Sequence, residues 1–277
     1  MRNIVFKFYL LLFLIITFGL APETIIGQTL STKENSILNA SEKLIFSNPN
    51  EAIKIGIQLS KNENNSNIEI AEINYILSKA YFAKGDYNNS LKTLFASKIS
   101  ESQLSDSKKN DILISKIRIL RELSLDKEAR KILLVADSIS ELISNSDEKL
   151  LVKKAILIEK AKFLYKERQF SKGIQLLLSQ EKSDSKIDSP DLELSVKLLL
   201  GDFYLKQKDF VSAENYYKAA YLITSNQKNP NLYQKVFALT GLADLCFFRK
   251  EHNQGLLILK EALLYSQNLQ NIYLQEM

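Results

Sequence analysis

The sequence predicts an all-α chain, an α-solenoid of about six stacked antiparallel helix hairpins, and three observations predict it. Glycine and proline are scarce, 8 and 4 in 277 residues, fewer turn-formers than an all-β or doubly wound fold would use. Small residues recur in pairs twelve positions apart, about every 40 residues. The apolar residues around them keep a helical rhythm, and polar spacers separate one stretch from the next. With 45% hydrophobic residues and 25% charged ones, the chain has ample material for a core.

The first 27 residues read as a targeting segment, a signal peptide outside the fold. Arg2 and Lys7 give it a positive start, and Phe8 to Ala21 is uncharged and mostly apolar. A helix of that length spans only ~21 Å, short of a ~30 Å hydrocarbon core, which fits a removable signal better than a permanent span. Pro22 ends the helix, and the expected cleavage follows Gly27, with Ala21 as the alternative. Nothing downstream reaches the length of an uncharged apolar membrane helix. The expected location is periplasmic or secreted. The alternative is an uncleaved anchor starting at Ile4, with the repeats held outside the cytoplasm.

Residues 28–277 form the expected solenoid, with hairpins near 33–60, 68–99, 111–143, 149–180, 191–224 and 231–267. The small pairs are Ala40 with Ala52, Ser78 with Ser90, Ala161 with Gly173, Gly201 with Ala213 and Ala243 with Gly255. One copy keeps Ala129 but has Ile117 at the first position. The second positions, 52, 90, 129, 173, 213 and 255, are 38, 39, 44, 40 and 42 residues apart. Two antiparallel helices approach closely only where side chains are small, so each pair marks where the arms of one hairpin touch. Around Ala213 the residues Tyr216, Tyr217, Ala220 and Ile223 continue one helical face. Such short helices are marginal alone, so each hairpin must bury its apolar face on the next.

The punctuation agrees. Asn48-Pro49, Ser189-Pro190 and Asn229-Pro230 each set a good N-cap before a proline at the first helical position. Asp86 and Asp209 are expected caps of second helices. Leu263 to Met277 reads as the start of another first helix, either incomplete or serving as a cap.

On these residues the chain resembles the tetratricopeptide repeat family. The stretches AYFAKGDYNNSLKTLFAS from Ala80 and LGDFYLKQKDFVSAENYYKAAYLI from Leu200 carry the resemblance, which extends over roughly residues 33 to 270. The period near 40 is longer than the family's usual 34, and the family's tryptophan is missing. Both features are similar to the long repeats in the sensory half of bacterial membrane-bound regulators. The resemblance implies a right-handed superhelix whose concave face, lined by first helices, holds a protein or peptide partner. It also implies which residues line that face: Lys79, Arg118, Lys162, Asp202 and Asp244, just after the first small position, flanked by Phe82, Arg121 and Tyr165. That line runs from basic to acidic, and would orient an extended segment with its acidic end on the cations. Reversing Arg118 and Lys162 together is then expected to weaken capture without lowering stability. The plain alternative is that the charges are solvated or paired within the solenoid, and that the aromatic rings pack between repeats.

Catalysis finds no foothold in the sequence. His252 is the only histidine and Cys246 the only cysteine, so no zinc spacing or internal disulfide can be built, and no GxSxG, P-loop or GxGxxG string occurs. The 37 basic and 32 acidic residues are mixed along the chain, so a net charge of +5 is weak ground for nucleic-acid binding. The expectation is a non-enzymatic scaffold with no cofactor, no metal, no small-molecule substrate and no nucleic acid through this region. It would meet a membrane only through the N-terminal segment or a part beyond Met277. It would serve as the exported sensory part of a signalling or transcriptional regulator or, alternatively, as a freestanding periplasmic adaptor.

Overall fold

The computed structural model describes residues 32–63, 65–96, 104–181 and 189–276, so the expected targeting segment lies outside the described residues. These residues form thirteen helices, with no strand among them. In order they are α1 (Thr32–Leu44), α2 (Pro49–Ser60), α3 (Asn67–Ala83), α4 (Tyr87–Phe95), α5 (Asp106–Glu122), α6 (Asp126–Ser140) and α7 (Ser146–Lys166). There follow α8 (Phe170–Glu181), α9 (Pro190–Lys206), α10 (Phe210–Ser225), α11 (Leu232–Phe248), α12 (His252–Leu269) and α13 (Ile272–Gln275). Each helix packs on the next in the chain, and α1, α3, α5, α7, α9 and α11 also touch in succession.

Local chemistry fixes the helix starts. Asn48 and Asp86 accept from the amides of Glu51 and Asn89, and Asp209 accepts from that of Ser212. Ser66 and Glu69 form a reciprocal capping box on α3. Pro190 opens α9, although Ser189 makes no side-chain cap bond. The expected Asn229-Pro230 start is displaced. Helix α11 begins at Leu232, with Asn231 as its cap on the Gln234 amide.

One turn is used five times. Between the two helices of a pair, a single residue takes positive φ: Gly85, Ser124, Arg168, Lys208 and Lys250. The next amide then reaches back five residues, as Asp86 does to the Tyr81 carbonyl at 2.9 Å and Glu251 to Cys246 at 2.8 Å. This is the Schellman arrangement, which satisfies carbonyls that a helix end would leave open. Each turn residue lies five positions before the second small residue of its pair. The first pair departs from the pattern, with neither a positive-φ residue nor the expected spacing. There Ala40 is exposed, and Ser41 is the buried residue whose hydroxyl bonds the Ala52 carbonyl.

The nine other small positions, Ser78, Ser90, Ala129, Ala161, Gly173, Gly201, Ala213, Ala243 and Gly255, are all buried. Ser78 and Ser90 exchange hydroxyl-to-carbonyl bonds of 2.9 and 2.7 Å across their pair. Close approach explains the glycine at 173: a Cβ there would stand 2.1 Å from the Phe203 ring of the next pair. The ring of Tyr217 lies against Gly201 and Gly241 in the same way. Polar contacts between neighbouring pairs also recur at a separation close to one repeat, among them Asp126 with Lys166, Arg130 with Glu167 and Glu214 with Arg249.

The row of pairs curls until its first and last members meet. The Leu232 amide bonds the Phe46 carbonyl at 2.9 Å, and the Asn271 side-chain amide bonds the Ala83 carbonyl at 2.9 Å. This contact explains the displaced start of α11, whose first amide is held across the seam. It also bears on the chain's last residues. Leu263–Leu269 completes α12 rather than opening another first helix, and after a left-handed turn at Gln270 the short α13 packs beside the first pairs.

Candidate functional site: a charged strip along the first helices

The helices α3, α5, α7, α9 and α11 carry Lys79, Arg118, Lys162, Asp202 and Asp244 at one register, one residue after a buried position on the same helix. These groups influence one another in sequence: Arg118 acts on Lys79, Lys162 and Asp244 on Asp202, and Asp202 and Asp244 on Tyr165. Arg121 and Glu122 at the end of α5 also act on the phenol of Tyr233, at the start of α11.

The basic stretch is organised by Glu159, which sequence reasoning missed. Its carboxylate is fully buried, at 0% exposure, and accepts from Arg118 Nε at 2.9 Å, Arg121 Nη1 at 2.9 Å and Lys162 Nζ at 3.0 Å. Burial alone would raise its pKa, but the three cations outweigh burial and hold it near 2. Lys162 is pushed down to about 8, first by burial and then by the two guanidinium groups, with Glu159 opposing. An isolated ion pair would move its two partners in opposite directions. Here both move down, because at Lys162 burial outweighs the pull of Glu159 and the two guanidinium groups that share that carboxylate add to the fall.

A sequence signal for Glu159 existed. It stands three residues before Lys162, where the other copies have Ile76, Ser115, Leu199 and Gly241, all buried. A lone carboxylate among apolar and small residues at a packed register needs buried partners. The sequence expectation that reversing Arg118 and Lys162 would spare stability is corrected by this geometry, since either reversal sets a negative group against Glu159.

The acidic stretch has no such counter-ion. Asp202 accepts the Tyr217 hydroxyl at 2.7 Å. Burial raises its pKa to about 6; Asp244 adds to the rise, while the Tyr217 bond, Lys206 and Lys162 oppose it. Asp244 is exposed, and desolvation raises it as well, opposed by Lys206. Tyr165 is raised to about 12 by burial and by the two carboxylates.

The remaining expected lining residues are engaged elsewhere. Lys79 pairs with Glu42 at 3.7 Å and lies 5.1 Å from the centre of the Tyr75 ring. Tyr165 packs on Phe170 and Phe203, between pairs. Phe82 packs on Tyr87 and Tyr233, where the two ends of the row meet. His252 begins α12, and Cys246 is buried in α11.

The arrangement suits recognition of charge: fixed cations at one end of the strip, titratable carboxyls at the other. In comparisons with known proteins, the chain matches no family model and no curated sequence.

Proposed function

We propose that this chain is a tetratricopeptide-like superhelix that binds a segment of another protein along its charged strip and catalyses no reaction. The observation that carries this reading is the strip itself. Five first helices deliver a charged residue at the same register, basic on α3, α5 and α7 and acidic on α9 and α11. A bound segment with an acidic end would compete with Glu159 for Arg118 and Lys162 and place its basic or polar part beside Asp202 and Asp244. The residue pattern of 1–27 supports export, and the long repeats support a role as the extracytoplasmic sensory part of a bacterial signalling or transcriptional regulator.

Site-specific photo-crosslinking tests the reading in cells that make the full chain. A benzophenone side chain replacing Asp244, on the strip, should give a discrete adduct with one partner. The same group replacing Leu134, which is 70% exposed on α6, should give none. Equal capture at both positions, or at neither, removes the proposal. Amino-terminal sequencing of the mature protein tests export, and a start at Gln28 is expected.

A further inference from the structure

The seam where the ends of the row meet differs from most contacts between pairs. Along most of the row neighbouring pairs share hydrophobic cores, such as the one that joins α5, α6 and α7, and α4 reaches that core through the partly buried Leu91. At the seam the core of α1–α3 and the core of α11–α13 remain separate clusters, with Phe46 packed at the edge of one and Tyr233 at the edge of the other. What joins them is a chain of rings: Phe46 on Tyr233, Tyr233 on Phe82, Phe82 on Tyr87 and Tyr87 on Tyr273. Two polar bonds add to it, from the Leu232 amide to Phe46 and from the buried Asn271 side chain to Ala83. Gly85 permits the approach: its φ is +77°, and a Cβ there would stand 2.8 Å from both Asn271 and Tyr273.

A small cavity of ≈ 30 Å³ lies directly behind the rings. Phe46 and Phe82 belong both to its wall and to the seam, and Lys79, Arg118 and Ser115 line its inner side. The basic end of the strip is thus bordered, on the side of the cavity, by aromatic contacts that no shared core reinforces.

We propose that the seam is a clasp. The pair α11–α12, with α13, parts from α1–α3 as a unit, opening the cavity and the basic end of the strip, and closes again through the aromatic rings. Contacts that join two already packed bodies can open without unfolding either, which makes the seam a low-cost opening of this fold. The inference rests on the strip being a binding surface, since a clasp would control entry to it, but the opening itself needs no ligand to be measured.

The test is thiol labelling of the full chain carrying Ser115→Cys, whose side chain lines the cavity, with native Cys246 as a control buried at the far end of α11. Loosening the seam with Tyr233→Ala or with Asn271→Ala should speed labelling at position 115 at least about tenfold and leave Cys246 unchanged. No change at 115 overturns the clasp, and so does an equal rise at both cysteines, which would report general loosening. Hydrogen exchange on the unaltered chain gives a second reading. The Leu232 amide, held across the seam, should exchange at least about tenfold faster than the Ala238 and Leu239 amides within α11. Equal protection at all three would mean the seam opens only when the fold does. Failure of these tests leaves the crosslinking outcome at Asp244 untouched, so the two proposals fall separately.

Discussion

The two ends of the charged strip occupy the same register yet treat charge in opposite ways. Along α5 and α7, Arg118, Arg121 and Lys162 converge on a carboxylate with no exposure to water. Along α9 and α11, Asp202 and Asp244 face one another's field, with a phenol and a more distant Lys206 for company. The difference comes from one position. Three residues before the strip residue, α7 carries Glu159 whereas α9 carries Leu199 and α11 Gly241. A buried counter-ion fixes charge on one side, and its absence leaves the other side to titrate.

The largest test of that contrast removes the counter-ion. Glu159→Gln keeps the shape and leaves three cations crowded without an anion, and should lower unfolding free energy by ~3–5 kcal/mol in urea titration at pH 7. The pH sign follows from the depressed carboxyl. With the folded value near 2 against an ordinary 4.5, the contribution is complete above the ordinary value and is lost as pH falls towards 2. A loss below about 1 kcal/mol would mean that the cations reach water freely, and Glu159 would not be the group that fixes the basic end.

The acidic side should respond in the reverse sense and less strongly. Asp202 is raised to about 6, so between its ordinary 3.8 and 6 the folded chain binds more protons than the unfolded one. Stability contributed by this group therefore falls as pH rises through that window. Asp202→Asn keeps an acceptor for Tyr217 and should raise Tm at pH 7 by about 2–4 °C, with no gain at pH 4. An equal gain at both pH values would assign the effect to packing and break the comparison.

Much of this was legible in the residues. Helical class, the pairing of helices and the buried small positions followed from spacing, because close approach leaves a mark that composition can carry. The cap at Asp86 was readable for the same reason. The turns were not. Only Gly85 of the five positive-φ residues between paired helices is a glycine, and Ser124, Arg168, Lys208 and Lys250 give no sign of a left-handed conformation. The seam was also hidden, since Phe46, Tyr233 and Tyr273 look like ordinary helix-flanking aromatics until curvature brings distant pairs together. Contacts between residues as far as 188 apart leave no mark in any single repeat. At the site, register placed the strip, while Glu159 sits in the packed row three residues before it, which is apolar or small in the other copies and gives no outward sign of charge.

The smallest effect, and the sharpest discriminator, concerns the lysine beside Glu159. Lys162 loses its proton at about 8 in the folded chain but near 10.5 when unfolded. Between those values the unfolded chain binds the extra proton, so stability contributed by this group rises with pH. Lys162→Met fills the same space, gives up one bond to Glu159 and relieves repulsion from Arg118 and Arg121. These opposing terms should leave the change at pH 7 within about 1 kcal/mol. What should vanish is the alkaline rise, read as the difference between the unaltered chain and Lys162→Met in urea titrations at pH 7 and pH 9.5. If the difference stays constant across that interval, Lys162 is an ordinary partner of Glu159, and the basic end holds no cation in excess for an acidic segment to claim.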